Sequence, residues 1–274
     1  MPEGPEIRRA ADRIAKVLVD QPITAAEFTI PGLRRFGRRI TGCSVTSVDT
    51  RGKAMLTRFE NGLTLYSHNQ LYGRWYVTKS GCWPATRRSL RVALHTPSHS
   101  ALLYSATEVQ ILNERQLEQH PFLRRLGPDI LDPELTEESI VARLDEPRFR
   151  RRSVGALYLD QAFLAGLGNY LRTEILFRAR LSPRCRPLNL AASARRKLAR
   201  ETLSISRRSY RTGGITLSSD RAGKLKSAGT RFEDYRFWAF GRRDLPCYVC
   251  GESIDRIEIG GRRLYFCPGC QQNS

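Results

Sequence analysis

No stretch of this chain approaches the ~18 consecutive apolar residues that a membrane-spanning helix needs, so no helical membrane anchor is expected. The opening, MPEGPEIRRA, has no apolar core after its charges, and a secretory signal is not expected either. Without export, the seven cysteines argue against a disulfide framework and for a cytoplasmic, zinc-binding protein. No internal repeat is present. Lysine is scarce: six (Lys16, Lys53, Lys79, Lys197, Lys224 and Lys226) stand against forty arginines. A genome rich in arginine codons would produce that skew by itself, but it singles out each remaining lysine. Acidic residues are also few. Forty-six basic against 27 acidic side chains leave a net charge of +19, a field that attracts polyanions, nucleic acid first among them. The excess is uneven, +6 over residues 1–134 and +13 over 135–274, so the second half is the expected phosphate binder.

What is present suits an α+β protein of two domains. Its 274 residues, 41% of them hydrophobic, suffice for two ordinary cores. Ile7, Ala10, Ala11, Ile14, Val17 and Leu18 recur at helical spacing behind Pro5, predicting a leading helix over 5–19. From 23 to about 112, short β-branched and aromatic runs alternate with turn residues. AMLTRF and LTLYSH flank Asn61-Gly62, and RVALHT and ALLYSA flank Pro97-Ser98, so two hairpins of an antiparallel sandwich are expected. Residues 113–134 form a Pro-rich boundary, and 136 to about 210 read as helical. The stretch 211–230, RTGGITLSSDRAGKLKSAGT, reads as a mobile basic loop, and 235–274 as short strands around four cysteines. The expected division is an N-terminal domain over 1–124, a linker over 125–134, a helical domain over 135–234 and a zinc hairpin over 235–274.

Cys247-x2-Cys250 and Cys267-x2-Cys270 stand 16 residues apart. Four thiolates so spaced can close a tetrahedron around one Zn²⁺, which has no open coordination position and is structural. Two disulfides are the alternative, disfavoured without an export signal. The hairpin between the knuckles is expected to present Arg262 and Arg263. Gly166-Leu167-Gly168-Asn169 lies between two apolar helices; it is either a structural turn or a phosphate-binding helix start. The N-terminus carries the sharpest chemistry. Once Met1 is removed, Pro2 offers an α-amine, of which roughly a tenth is unprotonated at pH 7. Such an amine attacks carbonyl-like carbon, and a secondary amine gives an iminium that keeps its charge without a proton. Glu3 beside it can move protons. Taken singly, Pro2-Glu3 is also an ordinary start, Lys53 in TRGKAML a surface lysine, and Gln70-Leu71-Tyr72 in SHNQLYG a packed turn.

Together, MPEGPEIRRAAD, TRGKAML, TLYSHNQLYG, HPFLRRLGPD, LDQAFLAGLGNYLR and the CPGCQ end resemble the formamidopyrimidine-DNA glycosylase/endonuclease VIII family along the whole chain. Gly4 and the QLY triplet point to the bacterial endonuclease VIII branch. The resemblance implies a bifunctional glycosylase and AP lyase that removes oxidised pyrimidines from duplex DNA and cuts the strand by β,δ-elimination. It implies a monomer that also takes abasic sites, with no redox or nucleotide cofactor, and a helix–two-turn–helix in the second domain. By resemblance Pro2 is the nucleophile and Glu3 the proton donor, Lys53 assists β-elimination, and Arg262 serves δ-elimination and phosphate contact. Gln70, Leu71 and Tyr72 form the wedge that fills the space of a flipped base. Arg125 and Asn169 contact phosphate, while Glu6 and Glu174 support the site, Glu174 near the catalytic amine. Residues 211–245, in the region that helps hold the flipped base in this family, depart from its pattern. So do Arg263 and Leu264, where proline and an aromatic are expected. A non-catalytic damage-binding zinc protein is the alternative; it would have no need of Pro2, Glu3 and Lys53 together. A ribosomal or RNA-associated zinc protein explains the charge and cysteines but not the start.

Overall fold

A computed structural model describes residues 2–272 and divides the chain into two compact units, one ending at Arg125 and the other beginning at Leu126. Whether Met1 is removed lies outside the described residues.

The first unit leads with α1 (Gly4–Leu18). Pro5 suits its first turn, and Glu6 Oε2 accepts the backbone N–H of Glu3, the N-cap residue, at 3.1 Å. Ile7, Ala10, Ala11, Ile14 and Leu18 form its buried stripe. Then follow β1 (Ala25–Phe28), α2 (Phe36–Ile40), β2 (Val45–Arg51), β3 (Ala54–Phe59), β4 (Thr64–His68), β5 (Arg74–Lys79), β6 (Leu90–His95), β7 (His99–Tyr104) and β8 (Glu108–Leu112). They make two antiparallel sheets, ordered β1-β6-β7-β5 and β2-β3-β4-β8. Alternate residues of both sheets (Val48, Met55, Leu65 and Ile111 from one, Val92, Leu94 and Leu103 from the other) share one core with the α1 stripe. This is the expected sandwich, and both expected hairpins form, β3–β4 and β6–β7.

Residues 113–125 are more ordered than a boundary. They hold two short helices, α3 (Glu114–Glu118) and α4 (Pro121–Arg124). Asn113 caps the first by accepting from Gln116 N–H at 2.9 Å. Leu117, Phe122 and Leu123 cover the outer face of the second sheet at Ala54, Leu56, Tyr66 and Leu112. Burial of an apolar outer face, invisible to local pattern, is the reason.

The second unit holds α5 (Glu137–Asp145), α6 (Val154–Leu157), α7 (Asn169–Ala179), α8 (Ala192–Thr212), α9 (Ser219–Ser227), β9 (Asp255–Ile259) and β10 (Arg262–Phe266). Three expectations need correction. Residues 126–130, expected within a linker, are seated on this unit: Gly127 N–H donates to Gln161 O at 2.9 Å and Ile130 N–H to Ala165 O at 3.1 Å. A Cβ on Gly127 would lie 2.5 Å from Ala162 O, so only glycine permits that approach. The helical reading of 153–166 shrinks to the single turn of α6, because the chain must bend to enter α7. The expected loop over 211–230 contains α9, whose Ala222 and Leu225 pack against Phe177, Trp238 and Tyr235. Asp220 near its start and Lys224 and Lys226 near its end suit the helix dipole. Gly223 masked that pattern in the sequence.

Helix α7 is buried along nine of its eleven residues. It is the central strut of the unit, and Leu264 of β10 lies in the same core.

Candidate active site

Pro2 is half-buried, and Glu3, at the N-cap of α1, is buried at 2% exposure. The positive end of the helix dipole favours an anionic carboxylate there. Lys53 sits with Gly52 in the two-residue turn between paired Arg51 and Ala54. Gly52 adopts φ +62°, the left-handed conformation such a turn requires. Across the next strand pair Ala54 faces His68, so the lysine turn and the start of the Gln70–Tyr72 loop are neighbours. Burial holds the His68 imidazole below its ordinary pKa; Glu108 opposes that shift and Lys53 adds to it. A neutral His68 can accept through Nδ1, and Gln70 N–H donates to that atom at 3.3 Å. Beyond it, Leu71 and Tyr72 are 57% and 65% exposed. Two large apolar side chains held in solvent at a loop tip are poised to enter something. Arg125 is exposed at the end of α4, its Nε donating to Pro121 O at 3.0 Å.

In the second unit, the turn before α7 is pinned by Gln161. Its Oε1 accepts Gly166 N–H at 3.1 Å and its Nε2 donates to Leu167 O at 2.9 Å. Gly166 takes φ +97°. The turn delivers Asn169 to the first position of α7, where its Oδ1 accepts from Arg172 Nη2 at 2.7 Å. Arg172 is fully buried and is the residue that sequence reasoning missed. Its Nη1 donates to Gly155 O at 2.7 Å and Ile259 O at 3.0 Å, and its Nη2 to Arg262 O at 3.3 Å and Arg263 O at 3.2 Å. One guanidinium fork thus joins the helix–two-turn–helix to the tip of the β9–β10 hairpin, and Asn169 to the backbone of Arg262. The side chains of Arg262 and Arg263 are exposed beside a Gly260-Gly261 turn with φ +64° and +68°. Leu264, the departure from the family pattern, is a buried core residue. The signal in the sequence was slight: Arg172 is one of three charged residues in NYLRTEILFRA, and nothing in its local spacing sets it apart.

The four cysteine Sγ atoms lie within 4.8 Å of one another, with Cys247–Cys270 at 3.9 Å and Cys250–Cys267 at 3.3 Å. Zn–S bonds of ~2.3 Å in a tetrahedron set sulfurs ~3.8 Å apart, so the donor set fits one structural zinc. Val249 N–H points at Cys247 Sγ at 3.4 Å, and Gly251 N–H donates to Cys247 O at 3.0 Å, the tight turn of a metal knuckle. Gln271 ties the second knuckle down, accepting from Cys267 N–H and donating to Leu181 O, each at 2.9 Å.

Every described contact of the Glu174 carboxylate lies within the second unit. It accepts from the backbone N–H groups of Trp238 at 2.7 Å, Ala239 at 2.9 Å and Phe240 at 2.9 Å, and from the Thr216 hydroxyl. Burial pushes its pKa up, while these four donors pull it back toward the ionised form. Its visible work is to hold the segment that leads into the zinc hairpin. Glu174→Gln turns an amide N–H toward backbone donors. It is expected to cost about 3 kcal/mol, lowering Tm by roughly 6–12 °C in thermal unfolding. An unchanged Tm would refute this structural role.

Known families place the same parts in the same order. The formamidopyrimidine-DNA glycosylase N-terminal domain matches residues 1–120, its H2TH domain 126–221, and the zinc finger found in FPG and IleRS 244–273. The chain therefore belongs to the formamidopyrimidine-DNA glycosylase/endonuclease VIII family. It is 48% identical over 271 residues to "Endonuclease 8" of Escherichia coli O17:K52:H18 and to that of Shigella sonnei, in each case across 99% of this chain and 100% of the relative. Its fold matches that of Lactococcus lactis Fpg in complex with N7-benzyl-Fapy-dG DNA, with TM-score 0.81 and 21% identity over 99% of this chain and 100% of that one. The same enzyme bound to abasic-site DNA gives TM-score 0.80 at 22% identity over the same shares. Among the described residues no helix is long and apolar enough to cross a membrane.

Proposed function

We propose that this protein is a bifunctional DNA glycosylase and AP lyase of base excision repair, acting as a monomer on oxidised pyrimidines and abasic sites in duplex DNA. The observation that carries the proposal is a proline with a potential free amine directly ahead of a buried carboxylate at a helix N-terminus, in a chain 48% identical to Endonuclease 8. Pro2 nitrogen attacks the sugar C1′, the bond from C1′ to the base breaks, and the base leaves with that electron pair and a proton. Glu3 supplies protons during base loss and ring opening, leaving an iminium between Pro2 and C1′. The iminium draws electrons, so loss of a 2′ proton breaks the C3′–O bond. Lys53 assists this step from its turn, and a further elimination, in which loss of the 4′ proton breaks the C5′–O bond, frees the phosphate on the 5′ side with Arg262 beside it.

Leu71 and Tyr72, with Gln70, replace the flipped base in the stack, a step that offsets an unstacking cost of a few kcal/mol. Arg125 and Asn169 hold phosphates, and the basic second half extends that grip. The N-terminal domain supplies Pro2, Glu3 and Lys53, and the helix–two-turn–helix and zinc hairpin hold the duplex, the hairpin also supplying Arg262. An enzyme that acts on duplex DNA works in the cytoplasm at the nucleoid of a bacterium.

Borohydride trapping tests the proposal. Untagged protein is mixed with duplex DNA carrying one thymine glycol and reduced. A covalent protein–DNA band with its linkage at Pro2 by peptide mapping is the expected result. No band, with damaged DNA still tightly bound, would instead identify a non-catalytic damage-binding protein.

A further inference from the structure

The loop Asn69–Gly73 carries its large apolar side chains in solvent, so hydrophobic burial cannot hold its shape. Gln70 also takes φ +46°, a left-handed conformation that a residue with a Cβ adopts only when held there. Polar contacts do the holding. Two are internal to the strand end and loop: Gly73 N–H donates to Asn69 O at 2.8 Å, and Gln70 N–H to His68 Nδ1 at 3.3 Å. A Cβ on Gly73 would lie 2.7 Å from the Asn69 backbone, so the closure is tight.

Two more contacts reach in from other elements. Gln70 Nε2 donates to Glu108 Oε2 at 3.3 Å, and Arg88 Nη1 donates to Tyr72 O at 2.5 Å. Glu108 is itself fixed. It pairs with His68 in the β4–β8 register, and its Oε1 accepts the hydroxyl of buried Tyr66 at 3.0 Å. Burial, and then the Glu108 charge, push the Tyr66 hydroxyl pKa up, so it remains a donor. Arg88 belongs to the connection between β5 and β6 and turns on the Thr86 hydroxyl, which accepts its N–H at 3.3 Å. The loop is therefore gripped at Gln70 by an anion set in the sheet, and at Tyr72 by a cation from a neighbouring loop.

We propose that Glu108 and Arg88 are positioning residues for the Gln70–Leu71–Tyr72 wedge, holding it preformed so that it enters the duplex without first being ordered. This rests on the reading of those three residues as the wedge. A loop that must order itself on insertion loses affinity for the flipped state. A preformed one matters only where a base stack has to be refilled.

The test compares two substrates under single turnover, using full-length zinc-loaded protein. One is duplex DNA with a thymine glycol; the other is a single strand with an abasic site, where no partner strand and no paired stack exist. Wild type, Arg88→Ala, Glu108→Gln, Leu71→Ala and the double variant Arg88→Ala/Leu71→Ala are assayed. For Arg88→Ala and Glu108→Gln the ratio of duplex to single-strand rate is expected to fall roughly tenfold. The duplex loss should appear in the half-saturating concentration more than in the maximal rate. Leu71→Ala should show the same selective loss, and the double variant should be no worse than Leu71→Ala alone, because Arg88 acts through the loop.

If Leu71→Ala is selectively impaired while Arg88→Ala and Glu108→Gln match wild type, or if the losses simply add, the positioning role is overturned and the wedge stands. If Leu71→Ala shows no selective loss, the wedge reading itself fails and the proposal with it. Should Glu108→Gln not fold, through its tie to buried Tyr66, the exposed Arg88 decides the question alone.

Discussion

Protein that retains Met1, or carries any extension ahead of Pro2, is expected to lose strand cleavage while keeping its affinity for undamaged duplex. An N-terminal amine and an amide nitrogen differ in one decisive respect: the amide lone pair is delocalised into the carbonyl and cannot attack C1′. No other group on the chain combines an ordinary pKa near ~7.7–8.0 with this position. The rate of abasic-site cleavage should fall by on the order of 10⁵-fold, since the effective concentration of a positioned amine is lost. An extension ahead of Pro2 alters none of the side chains proposed to contact DNA, so electrophoretic mobility shifts with intact DNA should be unchanged. Full cleavage by blocked protein, confirmed as blocked by intact mass, would remove Pro2 from the mechanism. Glu3 gives the assignment a second handle. Its carboxylate is buried at the helix start, shielded from bulk water, as the proposed proton donor requires.

Cys250→Ala, or removal of zinc by a chelator, is expected to abolish high-affinity DNA binding. Structural zinc supplies ~10–16 kcal/mol to the folding of small zinc modules, far more than strands of five residues each can supply between themselves. The damage should not stay local. Leu264 lies in the core of the second unit, and Arg172 depends on the carbonyls of residues 259, 262 and 263 for three of its bonds. Without the hairpin, a buried guanidinium loses those acceptors, at a cost of several kcal/mol. Melting of the second unit should therefore move to lower temperature together with the loss of DNA binding, and added zinc should restore both in chelated wild type. Intact binding by metal-free protein, with zinc measured by elemental analysis, would overturn the structural role of the cluster.

Much of the site could be read without coordinates because its signals are local. The zinc ligands are two short-spaced pairs, α1 carries its cap and apolar stripe within fifteen residues, and the β3–β4 and β6–β7 hairpins announce themselves at Asn61-Gly62 and Pro97-Ser98. Pro2 and Glu3 are notable by chain position alone. What local pattern hid was α3, α4 and α9. The first two are too short to show a period and exist because an outer sheet face needs cover. The third carries a glycine at its centre, and its packing against Trp238 offsets the poor propensity.

The amino-acid sequence alone determined the charge that draws polyanions, the cysteine set for zinc, the Pro2-Glu3 start and the sandwich of hairpins, since each rests on residue type or on neighbours a few positions apart. Tertiary structure decided which charges are buried and what they hold. Arg172 reaches carbonyls up to 91 positions away, Glu174 accepts amides 64 to 66 positions away, and Glu108 meets Gln70 across 38. No local period encodes such pairs. The bonds of Arg172 and Glu174 form because the folded core removes water from those groups, and only partners brought in from distant elements can satisfy them.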